Sequence, residues 1–215
     1  GAGGRLRALR GDGRTRWSYP DGASGPPRAF AAGRLAGRMS DSLLVLGTRN
    51  RRNEAVLLDA NGRVEGRHSF DAWYRILRLA DLDGSGAKAV TVQSFGGGKR
   101  DRLQVWDGAP TTWTLRAEAE LGWADVEQAA FPDLDGDGNR EIVLGAKNGW
   151  LLVFSRNGEL RSENKYVSGV SWLAAGNLDD DGPDELLVGV DTIPPQIFAV
   201  AVGPDPGPKL KVKRP

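Results

Sequence analysis

Apolar positions along the chain fall into short alternating or nearly continuous runs, each closed by turn-forming residues, and the runs recur in one order. An apolar stretch (WLAAGN, VEQAAF, YRILRLA, RAFAAG) enters a polar loop, and a β-rich run (ELLVGV, EIVLG, AVTVQ, LLVLG) leaves it. A second alternating run follows (QIFAVAV, WLLVFS, RLQVW, AVLLDA). In three units an Asn-Gly or Asp-Gly turn then leads to a polar fourth run (ELRSENKY, TTWTLRAEAE, RVEGRHSF). Alternation with a period of two predicts half-buried strands. Asn-Gly or Asp-Gly between such runs is the strongest short-range hairpin signal. Sustained helical periodicity is absent; TLRAEAELG comes nearest, and its place in the repeat predicts a strand.

The spacing turns these strands into a repeat. The turn glycines Gly13, Gly62, Gly108 and Gly158 lie 49, 46 and 50 residues apart, and polar loops beginning at 81, 133 and 177 lie 52 and 44 apart. Four strands per roughly 45–50 residues is the sequence signature of a propeller blade. The expected fold is all-β: a β-propeller or propeller segment of about four blades, each of four antiparallel strands, plus a leading half blade. Residues 1–203 form the propeller, with units at about 28–70, 71–120, 121–168 and 169–203 and the half blade at 4–20. Residues 204–215 are a Pro/Lys-rich tail or, through KLKVK, a final strand. A ring brings its first and last blades together, and exposed strand edges invite pairing with other chains. The N-terminal strands are therefore expected to close the ring on the C-terminal blade, in this chain or in a neighbouring copy.

The polar loops carry the chemistry. Phe131 to Gly145 reads FPDLDGDGNREIVLG, with Asp133, Asp135 and Asp137 on alternate residues, Gly138 at the bend, and Glu141 leading into an apolar run. Such carboxylates converge on one point, which suits calcium: six to eight oxygen ligands, among them a backbone carbonyl, here that of Asn139. The spacing returns at Asn177, Asp179, Asp181, Gly182 and Glu185. At Asp81, Asp83 and Ser85 it is eroded, with Ala89 in the glutamate place, so a metal-free turn is favoured there over a third cation. A fourth copy, AAGRLAGRMSDSLLVLG, aligns with AAGNLDDDGPDELLVGV but puts Arg34, Ala36 and Arg38 in the ligand places, and no cation is expected. An EF-hand would need a carboxylate at the twelfth loop position and a helix after it. Leu144 and Val188 stand there instead, inside strands.

Composition narrows the function classes. The chain has 215 residues, 40% apolar and 27% charged, enough to fold around a core, and its 30 glycines and 12 prolines suit many short elements joined by turns. With no cysteine, disulfides and thiolate metal sites are excluded. No apolar run is long enough for a membrane span and no signal peptide is visible. The net charge of +1 hides an asymmetry: residues 1–70 carry 13 basic against 6 acidic groups, and residues 121–190 carry 5 against 13. The basic part reads as arginines on a solvated strand face, because no nucleic-acid reading motif accompanies it. His68 is the only histidine, which leaves Ser-His and Cys-His nucleophile systems little to build from. The seven tryptophans read as blade packing. Trp123 and Trp172, just ahead of acidic loops, are the two placed to form an exposed platform.

The pattern D-x-[DN]-x-[DN]-G-x-x-[DE] resembles the calcium loop of FG-GAP/VCBS propeller repeats, found also in integrin α-subunits. The repeat covers nearly the whole chain and the motif is matched in two loops. The resemblance implies calcium ligands at Asp133, Asp135, Asp137, the Asn139 carbonyl and Glu141, and at Asn177, Asp179, Asp181, the Pro183 carbonyl and Glu185. It also implies a non-catalytic, extracytoplasmic module binding a protein or glycan; the alternative is a fragment of a polysaccharide lyase, some of which use calcium-loaded propellers. Separately, GRLRALRGDGRTRW resembles the repeat of pyrroloquinoline-quinone propellers. The other units lack its tryptophan, Gly66 and Ser162 standing in that place, so this is convergence on one blade geometry.

Overall fold

The structure, a computed structural model, describes residues 4–19, 27–35, 38, 40–49, 52–70, 73–94, 100–122, 125–179, 182–201 and 211–213. Strands β1 (Leu6–Leu9) and β2 (Thr15–Tyr19) form a hairpin, and four antiparallel four-stranded sheets follow. The first sheet holds β3 (Ala29–Gly33), β4 (Ser42–Arg49), β5 (Arg52–Leu58) and β6 (Val64–Phe70). The second holds β7 (Trp73–Ala80), β8 (Lys88–Ser94), β9 (Asp101–Asp107) and β10 (Thr114–Gly122). The third holds β11 (Val126–Ala130), β12 (Ile142–Ala146), β13 (Trp150–Phe154) and β14 (Leu160–Lys165). The fourth holds β15 (Val170–Gly176), β16 (Glu185–Val190), β17 (Gln196–Ala201) and β18 (Lys211–Lys213). Within each sheet the strands lie in chain order, and the first strands β3, β7, β11 and β15 pack side by side in succession. This is the blade arrangement expected from the repeat. TLRAEAELG is strand β10, and KLKVK supplies the short β18 rather than only a tail.

The core lies between blades. Side chains of a strand alternate between its two faces, and in the central strands both faces are covered. From β4 and β5, Leu44, Leu46, Ala55 and Leu57 pack towards the second blade, whereas Val45, Val56 and Leu58 pack towards the hairpin. From β12 and β13, Ile142, Leu144, Leu152 and Phe154 join the second blade's core, and Val143, Leu151 and Val153 join the fourth's. Burial on both faces is why these runs read as continuously apolar, while the outer strand β14 alternates exposed with half-buried positions.

The expected closure by the N-terminal strands within this chain is corrected. Among the described residues β1 and β2 form a sheet of their own, with no strand of the fourth blade bonded to them. The hairpin instead stacks on the first blade, where Leu6, Trp17 and Tyr19 pack against Val45, Val56 and Leu58. Its anchor is Trp17, whose indole N–H donates to the Ala60 carbonyl at 3.0 Å. Face-on stacking satisfies the hairpin's apolar side directly, without any ring closure.

Candidate metal centre

Each polar loop joins the first strand of a blade to the second, and the third blade's loop, 131–141, is the most complete. Gly136 and Gly138 take φ of +73° and +82°, a region that L side chains rarely adopt, and so bend the backbone back on itself. The Asp133 carboxylate accepts from the Gly136 and Gly138 amides at 2.8 and 2.9 Å. Glu141 accepts from the Leu134 amide at 2.9 Å, and its own N–H donates to the Pro132 carbonyl at 2.7 Å. Leu134, only 2% exposed, pins the loop to the core.

These bonds bring carboxylate oxygens of Asp133, Asp135 and Glu141 within 4.8 Å of one another. Two oxygens bound to one calcium ion can be roughly 5 Å apart at most, since each lies 2.3–2.6 Å from the metal. Any two of them are therefore close enough to share one ion. Asp137 stands outside the cluster, its oxygens accepting from the Asn139 amide at 2.7 Å and side chain at 3.0 Å. Those bonds hold its carboxyl below the ordinary range. The charge of the cluster is not offset from within: burial, and then the fields of Asp135, Asp137 and Asp133, push Glu141 up to about 7 despite the Leu134 amide. An opposite charge placed among these carboxylates would favour their ionised forms.

The fourth blade repeats the clamp, with the Leu178 amide donating to Glu185 at 2.8 Å. Asn177 and Asp179 are exposed on this loop, Glu185 is half-buried, and Asp181 lies outside the described residues. Pro183 is half-buried against Gly136 of the preceding loop.

In the second blade the cation is supplied by the chain itself. Lys88, 1% exposed, places its ammonium 2.8 Å from Asp83, 2.7 Å from the Ser85 hydroxyl and 3.5 Å from the Gly86 carbonyl. Burial opposes ionisation of Asp83, but the bonds from Lys88 and Ser85 outweigh it and hold the carboxyl well below its usual range. Arg116 lies 3.1 Å from the other oxygen of Asp83. In the first blade Arg34 pairs with Asp41 at 3.9 Å, and Ala36 lies outside the described residues.

The loops are also stitched blade to blade. Ala87 donates to the Arg34 carbonyl at 2.9 Å, Arg140 to Leu82 at 2.9 Å, and Asp184 to Asp133 at 2.7 Å. Asp184 returns a carboxylate oxygen to the Asp133 amide at 3.0 Å, so the fourth blade helps hold the third blade's metal loop. Sequence reasoning missed Lys88 and Asp184. Their signals were a lysine directly before Ala89 and an extra acid directly before Glu185.

Elsewhere, His68 is half-buried against Phe70, Trp113 and Trp106, with ring centroids 4.6, 5.4 and 5.9 Å away. Trp172 is 44% exposed on β15, and Trp123 lies outside the described residues. An open cleft lies between the first and second blades at the strand ends opposite the polar loops. Arg28, Asn53, Glu54, Trp73, Tyr74 and Arg75 line it. Glu54 is buried and bonded by Arg67 at 2.8 Å. The Tyr74 hydroxyl accepts from Gln93, and burial raises its pKa above the ordinary phenol value.

No family model matches the chain. No curated protein matches it either. Solved structures do. The Dos1 propeller aligns with a TM-score of 0.62 and 12% identity, covering 92% of this chain and 51% of the other. The biofilm matrix protein Bap1 of V. cholerae aligns at 0.59 and 23%, covering 93% and 31%. The Bacillus licheniformis rhamnogalacturonan lyase PL11 aligns at 0.57 and 11%, covering 91% and 49%. The chain thus spans a third to a half of the length of the structures it matches. At these identities the likeness speaks for fold alone, and the fold of this chain is that of a β-propeller built from four-stranded blades.

Proposed function

We propose that this chain is a calcium-stabilised, non-catalytic propeller module of FG-GAP/VCBS type that presents a binding surface to a glycan or protein outside the cytoplasm. The observation that carries the metal is the convergence of Asp133, Asp135 and Glu141 within 4.8 Å. Binding rather than catalysis is supported by the cleft, whose Glu54 and Tyr74 are both engaged and poorly placed to take a proton. A biofilm matrix protein and a rhamnogalacturonan lyase among the similar structures are in keeping with a glycan ligand. A second reading, a lyase fragment, is favoured by the likeness to that lyase and to the exotype rhamnogalacturonan lyase YesX. Release of an unsaturated uronide from pectic substrate would establish it.

Thermal melts in EDTA and in millimolar calcium test the metal. A ligand bound only by the folded state stabilises by about 2.7 kcal/mol at a hundredfold excess over Kd, which for a chain of this size is a rise of about 5–10 °C. Identical melts would overturn the reading. The rise should be larger at pH 8 than at pH 5.5, because a Glu141 pushed up to about 7 keeps its proton at the lower pH and calcium must displace it. Without metal the sign reverses: ionising this raised carboxyl costs stability, so the EDTA melt falls as pH rises from 4.5 to about 7.

A further inference from the structure

We propose that the cleft between the first and second blades binds a carboxylated sugar, the uronate class of acidic oligosaccharide. This rests on the binding-module reading and adds to it a place and a ligand class. The cleft is built where the start of β3, the end of β4 and the starts of β5 and β7 meet. Trp73 stands at its edge with 51% of its surface exposed, and the Arg28 guanidinium sits 4.4 Å from the ring centroid. The Arg28 backbone is fixed as well, its N–H donating to the Leu46 carbonyl at 2.8 Å.

The charges of the lining divide unequally. Arg75 is offset by Asp125 and by Asp101 at 3.8 Å, and Glu54 by Arg67. Among the described residues Arg28 has no carboxylate partner, so it is the cleft's uncompensated charge. A guanidinium held on an aromatic face keeps its N–H fork free for a planar, bidentate acceptor, and a carboxylate is such an acceptor. An exposed indole beside it offers an apolar surface of the kind that the C–H face of a pyranose covers. Beyond Asn53 the β4–β5 ladder ends on the pair Arg49 and Arg52, both exposed, so the basic surface continues for further uronates of a chain.

Titration calorimetry of the full chain with tetragalacturonate, its methyl ester and a hexa-aspartate peptide tests the proposal. Tetragalacturonate should bind, the ester at least tenfold more weakly, and the peptide not measurably. Arg28→Ala and Trp73→Ala should each weaken binding about tenfold with unchanged melts, since both side chains are exposed. Arg28→Lys should recover only part of the loss, and Arg5→Ala should change nothing. No binding of the acid sugar, or equal binding of ester or peptide, would overturn the assignment. If tetragalacturonate binds but the variants bind it equally, the site is elsewhere: this inference falls and the binding-module reading stands. If unsaturated product accumulates instead, the binding-module reading itself falls.

Discussion

At the scale of residues, the equivalent point of two loops is surrounded in two different ways. The third blade's loop gathers three carboxylates around a point that its own groups leave uncompensated. The second blade's loop fills the equivalent place with the Lys88 ammonium. Removing one partner of a buried ion pair costs about 3–5 kcal/mol, because the other is left charged and desolvated. Lys88→Met should therefore lower the melt in EDTA by several degrees, and calcium should restore part of the loss by occupying the vacated position. With Ala89→Glu added, native mass spectrometry should count one more bound calcium than in the wild type. An unchanged melt for Lys88→Met in EDTA would show that the ammonium does not stabilise the loop.

At the scale of elements, strands and their turns follow from local sequence, whereas their docking does not. Gly62 shows both. Its φ of +78° belongs to the turn that the Asn61-Gly62 dipeptide announces. A Cβ there would also meet the Trp17 ring at 2.5 Å, because the N-terminal hairpin lies on this turn. Gly13, at φ +81°, has the same backbone but no neighbour within 4 Å. Left-handed backbone costs a residue with a Cβ about 1–2 kcal/mol. Gly13→Ala should lose about that much in urea denaturation, and Gly62→Ala distinctly more. Equal losses would mean that hairpin docking contributes nothing to stability. The turn was legible in the dipeptide, but the tryptophan's partner was not, since 45 residues separate the Arg16 and Asn61 that bond across the same contact.

At the scale of the whole molecule, blades are nearest-neighbour units whose cores are shared. The leucine at the second loop position reports this. Leu35, Leu82 and Leu134 are 1%, 1% and 2% exposed, each under the blade that follows, while Leu178 on the fourth blade is 61% exposed. Truncating a buried leucine costs about 2–5 kcal/mol, and an exposed one within about 0.5 kcal/mol. Leu134→Ala should thus lower the denaturation midpoint strongly and Leu178→Ala hardly at all. A large loss for Leu178→Ala would show that this face is covered in solution.

Sequence alone determined the strands, the blade period, the turn glycines and the acidic loop of the third blade, because each depends on residues close together in the chain: alternation of faces, φ at a glycine, spacing of acids around a bend. Tertiary structure decided what depends on the next blade. It placed the hairpin on the first blade rather than against the last, since an apolar face does not name its partner. It bonded Asp184 to Asp133, and it left Leu178 open where its three counterparts are covered. It also brought Arg28 and Trp73 from different blades to one cleft. Even Lys88, a local residue, needed the fold, because only the closed loop makes its ammonium the cation that Asp83 requires.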